Sequence, residues 1–273
     1  MIVDFHVHML KYDSIQPWVA SWLSTNLKED YDTCLERCGN PEYFTHLIKE
    51  SGVDYAVVLA EYAPLTTGQS SNESVLNFCR DNKSLIPFCN INPFLSGQGA
   101  QELKRFVNKE GFRGLKLYPT YNYFFPNDRM LYPIYSMAEE LQIPVMFHTG
   151  SSIFQNSRIK YGNPLFLDDI TVDFPDLTLI MAHSGRGCWY QEAFLMAQIH
   201  PKVYMEISGL PVKRIPQYFP EFEKLGHKII FGSDYPGLPT SIKKNIEDFK
   251  NLGYSEKTIQ LVLGQTASEI LGL

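Results

Sequence analysis

The sequence predicts a single-domain α/β fold, a (β/α)8 TIM barrel spanning residues 1–273, and three observations carry that expectation. Short segments rich in β-branched and aromatic residues recur, each followed by a longer stretch with helical spacing, which is the alternation of βαβ units. Eight such pairs follow one another along the chain. The length of 273 residues suits one α/β barrel, and no internal repeat, low-complexity tract or linker marks a second domain.

In chain order, strands are expected at 2–8, 55–59, 85–90, 114–117, 144–148, 178–182, 203–207 and 228–232. Helices are expected between them at 41–51, 72–82, 100–109, 130–141, 165–174, 189–199, 211–222 and 240–251, with a final one at 256–271. Ser71 and Ser255 stand as helix caps, their hydroxyls able to accept from backbone amides left open in the first turn. One segment breaks the pattern. Residues 10–40 form an insertion of about thirty residues between the first strand and its helix, and connections that long in a compact domain are usually functional or disordered. Because Trp18, Trp22 and Tyr31 lie in it, a lid over a pocket is expected, with Trp22 a candidate substrate contact.

Composition narrows the function classes. Hydrophobic residues make up 44% of the chain and aromatic ones 14%, enough for a large core and an aromatic-rich pocket. The formal charge is −6 and no Lys/Arg cluster follows a phosphate backbone, which argues against nucleic acid. The apolar start is about five residues long and contains Asp4, unlike a signal peptide, and no run approaches the ~18 apolar residues of a membrane helix. A cytoplasmic protein without a membrane partner is expected, with self-association into a homo-oligomer left open. Five cysteines are read as thiols, Cys34 and Cys38 as small packing or surface residues.

In a barrel of this kind the loops after the strands build the active site, so unusual polar residues should fall at strand ends. His6 and His8 end the first strand, and residues two apart on a strand share a face. PVMFHTG closes the fifth strand with His148, LTLIMAHSGRG the sixth with His183, and KIIFGSDYPG the eighth with Asp234. A lone strand histidine is usually a packing residue; four histidines and an aspartate at one barrel mouth are the donor types that hold a divalent ion, Zn²⁺ first, with Mn²⁺ or Fe²⁺ as alternatives. Lys116, in RGLKLYP at the end of the fourth strand, should point inward if Leu115 and Leu117 face the helices. It then either reaches solvent and pairs with an acid or has a catalytic or substrate-binding part. The run LYPTYNYFFPND places Tyr118, Tyr121, Tyr123, Phe124 and Phe125 close together, as a pocket lining, as loop packing or as a subunit interface.

HVH, FHTG, AHSGR and FGSDYP, in this order from residue 4 to residue 236, resemble the metal-dependent amidohydrolase superfamily. The closer likeness is to its amidohydrolase-2 branch, which includes aminocarboxymuconate-semialdehyde decarboxylase and related decarboxylases and hydrolases. The ending GQTASEILGL is similar to that family's terminal helix. The resemblance implies one divalent ion held by His6, His8, His148 and Asp234, with His183 beside it as a general acid/base. It also argues against a second ion bridged by Lys116. The family often has glycine at the position of Arg186.

The expected function is therefore hydrolysis of a small carboxylic amide, lactone or ester by metal-activated water, with His183 and Asp234 managing protons. The alternative is non-oxidative decarboxylation of an aromatic or muconate-like acid at the same site. Under either, Arg186 can hold a substrate carboxylate in two parallel hydrogen bonds, or else it pairs with a structural acid. A non-enzymatic scaffold is disfavoured by the complete set of candidate ligands.

Overall fold

The computed structural model describes all residues except 10–12, 29, 96 and 238. Eight strands form one parallel sheet in sequential order: β1 (Val3–Val7), β2 (Tyr55–Leu59), β3 (Leu85–Asn90), β4 (Leu115–Leu117), β5 (Val145–His148), β6 (Leu179–Ala182), β7 (Val203–Glu206) and β8 (Ile229–Ile230). The seam between β8 and β1 is closed by backbone hydrogen bonds, from the Phe5 amide to Phe231 O at 3.0 Å, the Asp234 amide to His6 O at 2.9 Å and the His8 amide to Tyr235 O at 2.8 Å. The expected barrel is present, and its strands lie within a residue or three of the expected positions.

Side-chain alternation divides the core into two layers. Val57, Leu59, Ile86, Phe88, Met146, Ile180 and Ile230 fill the barrel interior, and Ala267 and Leu271 of the last helix join them. Their strand neighbours, among them Val58, Leu115, Leu117, Phe147, Met181 and Phe231, pack outward in the core beneath the helices. A strand residue in phase with the inner set therefore points into the barrel, and Lys116 is one. In β1 the phase changes. Val3 and Phe5 belong to the inner cluster but Val7 to the outer one, across a register irregularity between Asp4 and Val7. A local bulge of this type re-aims side chains, and here it turns His6 and His8 inward at the rim.

Two expectations about the helices need correction. Residues 211–222 form no single helix; a 3-10 turn (Val212–Arg214) leads into a short helix (Ile215–Tyr218) that stops at Phe219. Phe219 precedes Pro220, whose ring disfavours helical geometry in the residue before it, and its φ is −131°. The described part of the 10–40 insertion is mostly helical rather than a loop, with helices Pro17–Leu27 and Tyr31–Cys38. Its strand Ser14–Ile15 joins Glu61–Ala63 and Gly68–Ser70 in a small antiparallel sheet beside the barrel mouth. Cys34 and Cys38 are buried and unbridged, as packing thiols. Among the described residues no helix is long and apolar enough to cross a membrane.

Candidate metal centre and active site

Every barrel strand delivers a polar residue to the same end. These are His6 from β1 and His8 just after it, Glu61 after β2, Asn90 from β3, Lys116 from β4, His148 from β5, His183 after β6, Glu206 from β7 and Asp234 after β8. A cavity of about 240 Å³ opens there, and His6, His8, Glu61, Tyr118, His148, His183, Arg186 and Asp234 line it. Its apolar wall comes partly from the insertion. Val19, Trp22 and Leu23 of the helix Pro17–Leu27 face the cavity, and Trp22 meets Phe154 edge to face at 5.1 Å.

Three donors converge at the cavity floor. The Nε2 atoms of His6 and His8 lie 3.3 Å apart, and Asp234 Oδ1 stands 3.5 Å from the first and 3.6 Å from the second. Bonds of ~2.1 Å from three such donors to a common ion at near-tetrahedral angles span sides of ~3.4 Å, so the triangle fits a small divalent cation. His148 lies outside this triangle, with its ring centroid 4.7 Å from that of His183; its buried Nε2 has no hydrogen-bond partner. An orphaned imidazole nitrogen beside three converging donors is itself a reason to place a cation here.

Burial sets the protonation of the group. It drives His6, His148 and His183 well below the ordinary imidazole value and His8 to about 3, each with help from nearby cationic groups. Neutral imidazoles are the form that can ligate a metal. Burial also raises Asp234 to about 6, against the pull of Arg186 and Lys116, and raises Glu61 to about 7. Lys116 is pushed down by burial while Glu206, Asp234 and Glu61 hold it up. The expectation that its head reaches solvent does not hold: Lys116 is 0% exposed, is not among the cavity-lining residues, and its Nζ has no hydrogen-bond partner.

His183 has a defined tautomer. Its Nδ1 lies 3.0 Å from Ser208 O, and a carbonyl oxygen can only accept, so Nδ1 carries the proton and Nε2 keeps its lone pair. The backbone here is strained: His183, Ser184 and Asp234 have φ of 63°, 47° and 58°, a left-handed conformation costing about 1–3 kcal/mol each in non-glycine residues. Packing absorbs that cost. Gly209 shows how tightly, because a Cβ there would collide with Arg186 Nη1 and crowd His183 Nδ1 and Asp234 Oδ2.

Arg186 is partly buried at the rim. Nη2 donates to Ser151 O at 3.0 Å, and Nη1 lies 4.0 Å from Asp234 Oδ2. Tyr118 donates its hydroxyl to Ala60 O at 3.1 Å and stacks on Tyr121, so the aromatic run supplies cavity wall and packing together. Phe124 is buried in the outer core.

Three further polar strand-end residues, Glu206, Glu61 and Asn90, carry no motif in the sequence. Glu206 is fully buried and its Oε2 lies 3.1 Å from His6 Nδ1, while Glu61 Oε2 lies 3.6 Å from His8 Nδ1 and its Oε1 accepts from the Thr67 hydroxyl. Asn90 donates to Lys116 O at 2.7 Å. The available signal for Glu206 was a carboxylate inside the strand VYMEI, where an unpaired charge is too costly to bury without a purpose.

Comparison with known proteins agrees with this architecture. The fold is similar over 99% of the chain to an uncharacterized TIM-barrel protein from Bordetella bronchiseptica, covering 98% of it, with a TM-score of 0.81 at 22% identity. A probable 2-pyrone-4,6-dicarboxylic acid hydrolase from Acinetobacter baumannii, with citric acid bound, has a TM-score of 0.67 at 16% identity, covering 100% of this chain and 99% of that one. A 5-carboxyvanillate decarboxylase from Novosphingobium aromaticivorans, complexed with manganese and 4-hydroxy-3-methoxy-5-nitrobenzoic acid, has a TM-score of 0.70 at 13% identity, covering 100% and 96%. No curated protein sequence matches the chain. The family model described as Amidohydrolase (Amidohydro_2) matches residues 3–273, and with nearly the whole sequence inside that match the chain belongs to the amidohydrolase family.

Proposed function

We propose that the protein is a metal-dependent hydrolase of a small carboxylic amide, lactone or ester that carries an anionic group. The observation that carries this reading is the His183 tautomer: with Nδ1–H committed to Ser208 O, the neutral ring offers Nε2 as a proton acceptor. Hydrolysis needs a base for water, whereas decarboxylation needs a proton donor to carbon.

His6, His8 and Asp234 would hold the ion, with His148 supplying the next donor; Zn²⁺ suits this set first, with Mn²⁺ and Fe²⁺ as competitors. A divalent ion so held supplies Lewis acidity, making water nucleophilic near neutral pH and polarising an acyl carbonyl. His183 Nε2 takes the proton from the attacking water and returns it to the leaving group. Asp234 turns Oδ1 toward the two imidazoles and Oδ2 toward Arg186. Arg186 retains N–H groups for a substrate carboxylate, and Trp22, Phe154 and Tyr121 exclude water around an apolar or planar body.

The test is metal analysis of the purified protein together with a screen of lactones, amides, esters and aromatic acids that records both hydrolysis and CO2 release. Hydrolysis dependent on bound metal is expected; CO2 release without hydrolysis would replace this reading with the decarboxylase. For an anionic substrate, Arg186→Met should raise KM by ~10–100-fold, the worth of a charge-assisted contact of ~1.5–3 kcal/mol, and leave neutral substrates nearly unaffected. An equal effect on both substrate types would remove Arg186 from recognition.

Metal uptake should also depend on pH in an unusual way. The buried imidazoles are already neutral at pH 6.5, so the proton competing with the cation is that of Asp234, at about 6. Affinity should change by less than tenfold from pH 8 to 7 and then fall toward tenfold per unit below about 6. Calorimetry in buffers of different ionisation enthalpy should find no more than one proton released at pH 7.5, that of the metal-activated water. Release of two or more protons there would mean that the histidines are not held neutral.

A further inference from the structure

We propose that Glu206 is a positioning residue that fixes the tautomer of His6, and that it requires both of its carboxylate oxygens to do so. The inference rests on the metal-site reading above but concerns a residue outside the donor triangle. For His6 to offer a lone pair at Nε2, its proton must sit on Nδ1, and that proton needs an acceptor inside a dry core. Glu206 Oε2, 3.1 Å away, is that acceptor; burial raises its carboxyl, while Lys116 and the Ser208 hydrogen bonds favour the ionised form that accepts. The same oxygen receives the Ser208 hydroxyl at 2.9 Å, and Oε1 receives the Ser208 backbone amide at 2.6 Å. Gly232 leaves the space this requires, since a Cβ there would collide with Glu206 Oε1 and the His6 side chain.

This arrangement makes an unusual prediction about glutamine. A side-chain amide has one accepting end and one donating end. Two backbone amides point at this carboxylate, that of Ser208 at Oε1 (2.6 Å) and that of His183 at Oε2 (3.4 Å). The shorter contact sets the orientation, so in Glu206→Gln the side-chain carbonyl would turn to Ser208 and the NH2 group would face His6 Nδ1. A donor facing that nitrogen favours the tautomer with the proton on Nε2, and the lone pair meant for the cation is then lost. Alanine removes the acceptor without installing a donor, and Ser208 Oγ, 3.0 Å from Nδ1, remains able to accept. Glutamine, nearly isosteric with glutamate, should therefore be the more damaging replacement.

The test compares wild-type protein, Glu206→Gln and Glu206→Ala by chelator competition for Zn²⁺ and Mn²⁺, with circular dichroism to establish folding. Glu206→Ala should bind ~10–100-fold more weakly than wild type, and Glu206→Gln more weakly still. Nitrogen-15 NMR of histidine-labelled metal-free wild type, with His6 assigned through His6→Gln, should show Nδ1 protonated and Nε2 bare; this measurement stands even if neither Glu206 variant folds. Glu206→Gln binding within twofold of wild type, or more tightly than Glu206→Ala, overturns the proposal, as does a wild-type His6 protonated at Nε2. Wild-type protein that binds neither ion overturns the reading of the site as well. Wild-type binding with an indifferent Glu206→Gln overturns the positioning role alone.

Discussion

Asp234→Asn should leave a folded protein that no longer retains its divalent ion and turns over at least ~10³-fold more slowly, since the ion's electrostatic stabilisation of a transition state is worth several kcal/mol. Asparagine tolerates the left-handed backbone at φ 58° and keeps the shape of the side chain, so the change is confined to charge and donor type. The lost charge is the one facing both imidazole Nε2 atoms. Stability gives an independent reading. Burial already disfavours the ionised aspartate, so the metal-free variant should melt no lower than metal-free wild type. Wild type should gain melting temperature with added ion in proportion to ln(1 + [L]/Kd), and the variant should not. Asp234→Asn that keeps one ion per chain and wild-type turnover would exclude Asp234 from the centre.

How far the sequence reveals this site depends on whether a side chain's direction follows from strand period. It does for Lys116, whose flanking leucines face the outer core, and for His148, which is in phase with Met146 of the inner cluster. For His6 and His8 the shared face is legible, but the side is not. Counting from Val3 and Phe5 would send both outward, and only the irregularity between Asp4 and Val7 returns them to the barrel mouth. His183 and Asp234 lie beyond their strands in left-handed conformations that no propensity indicates, so their motif context marked them where period could not. Glu206 and Glu61 carry no motif at all. Their importance appears only when β7 and the turn after β2 are folded against the two N-terminal histidines. Trp22 reaches the cavity because an insertion too long for an ordinary loop forms a helix with one apolar side, of which its length and aromatic content were the visible part.

His183→Asn separates proton transfer from metal binding. Asparagine again suits the backbone, at φ 63°, and His183 is not one of the donors His6, His8 and Asp234, so an ion held by that triangle should be retained. His183 also forms a close group with His6 and Glu206, and loss of metal in the variant would place the ion there instead. What disappears is Nε2 as a base, and kcat on the substrate identified by the screen should fall by ~10²–10⁴, the range for a positioned general base. KM should move little, because the anionic group rests on Arg186 and the apolar body on Trp22 and Phe154. His183→Gly extends the argument: glycine accepts the same φ and leaves space where the imidazole stood, so free imidazole should restore part of the lost rate. Rescue that rises with the fraction of neutral imidazole would identify the missing function as that of a base, matching a ring whose Nδ1–H is committed to Ser208 O. Rescue that followed imidazolium instead would mean His183 serves as a proton donor, and the reaction at this site would then be the decarboxylation for which a proton must be delivered to carbon.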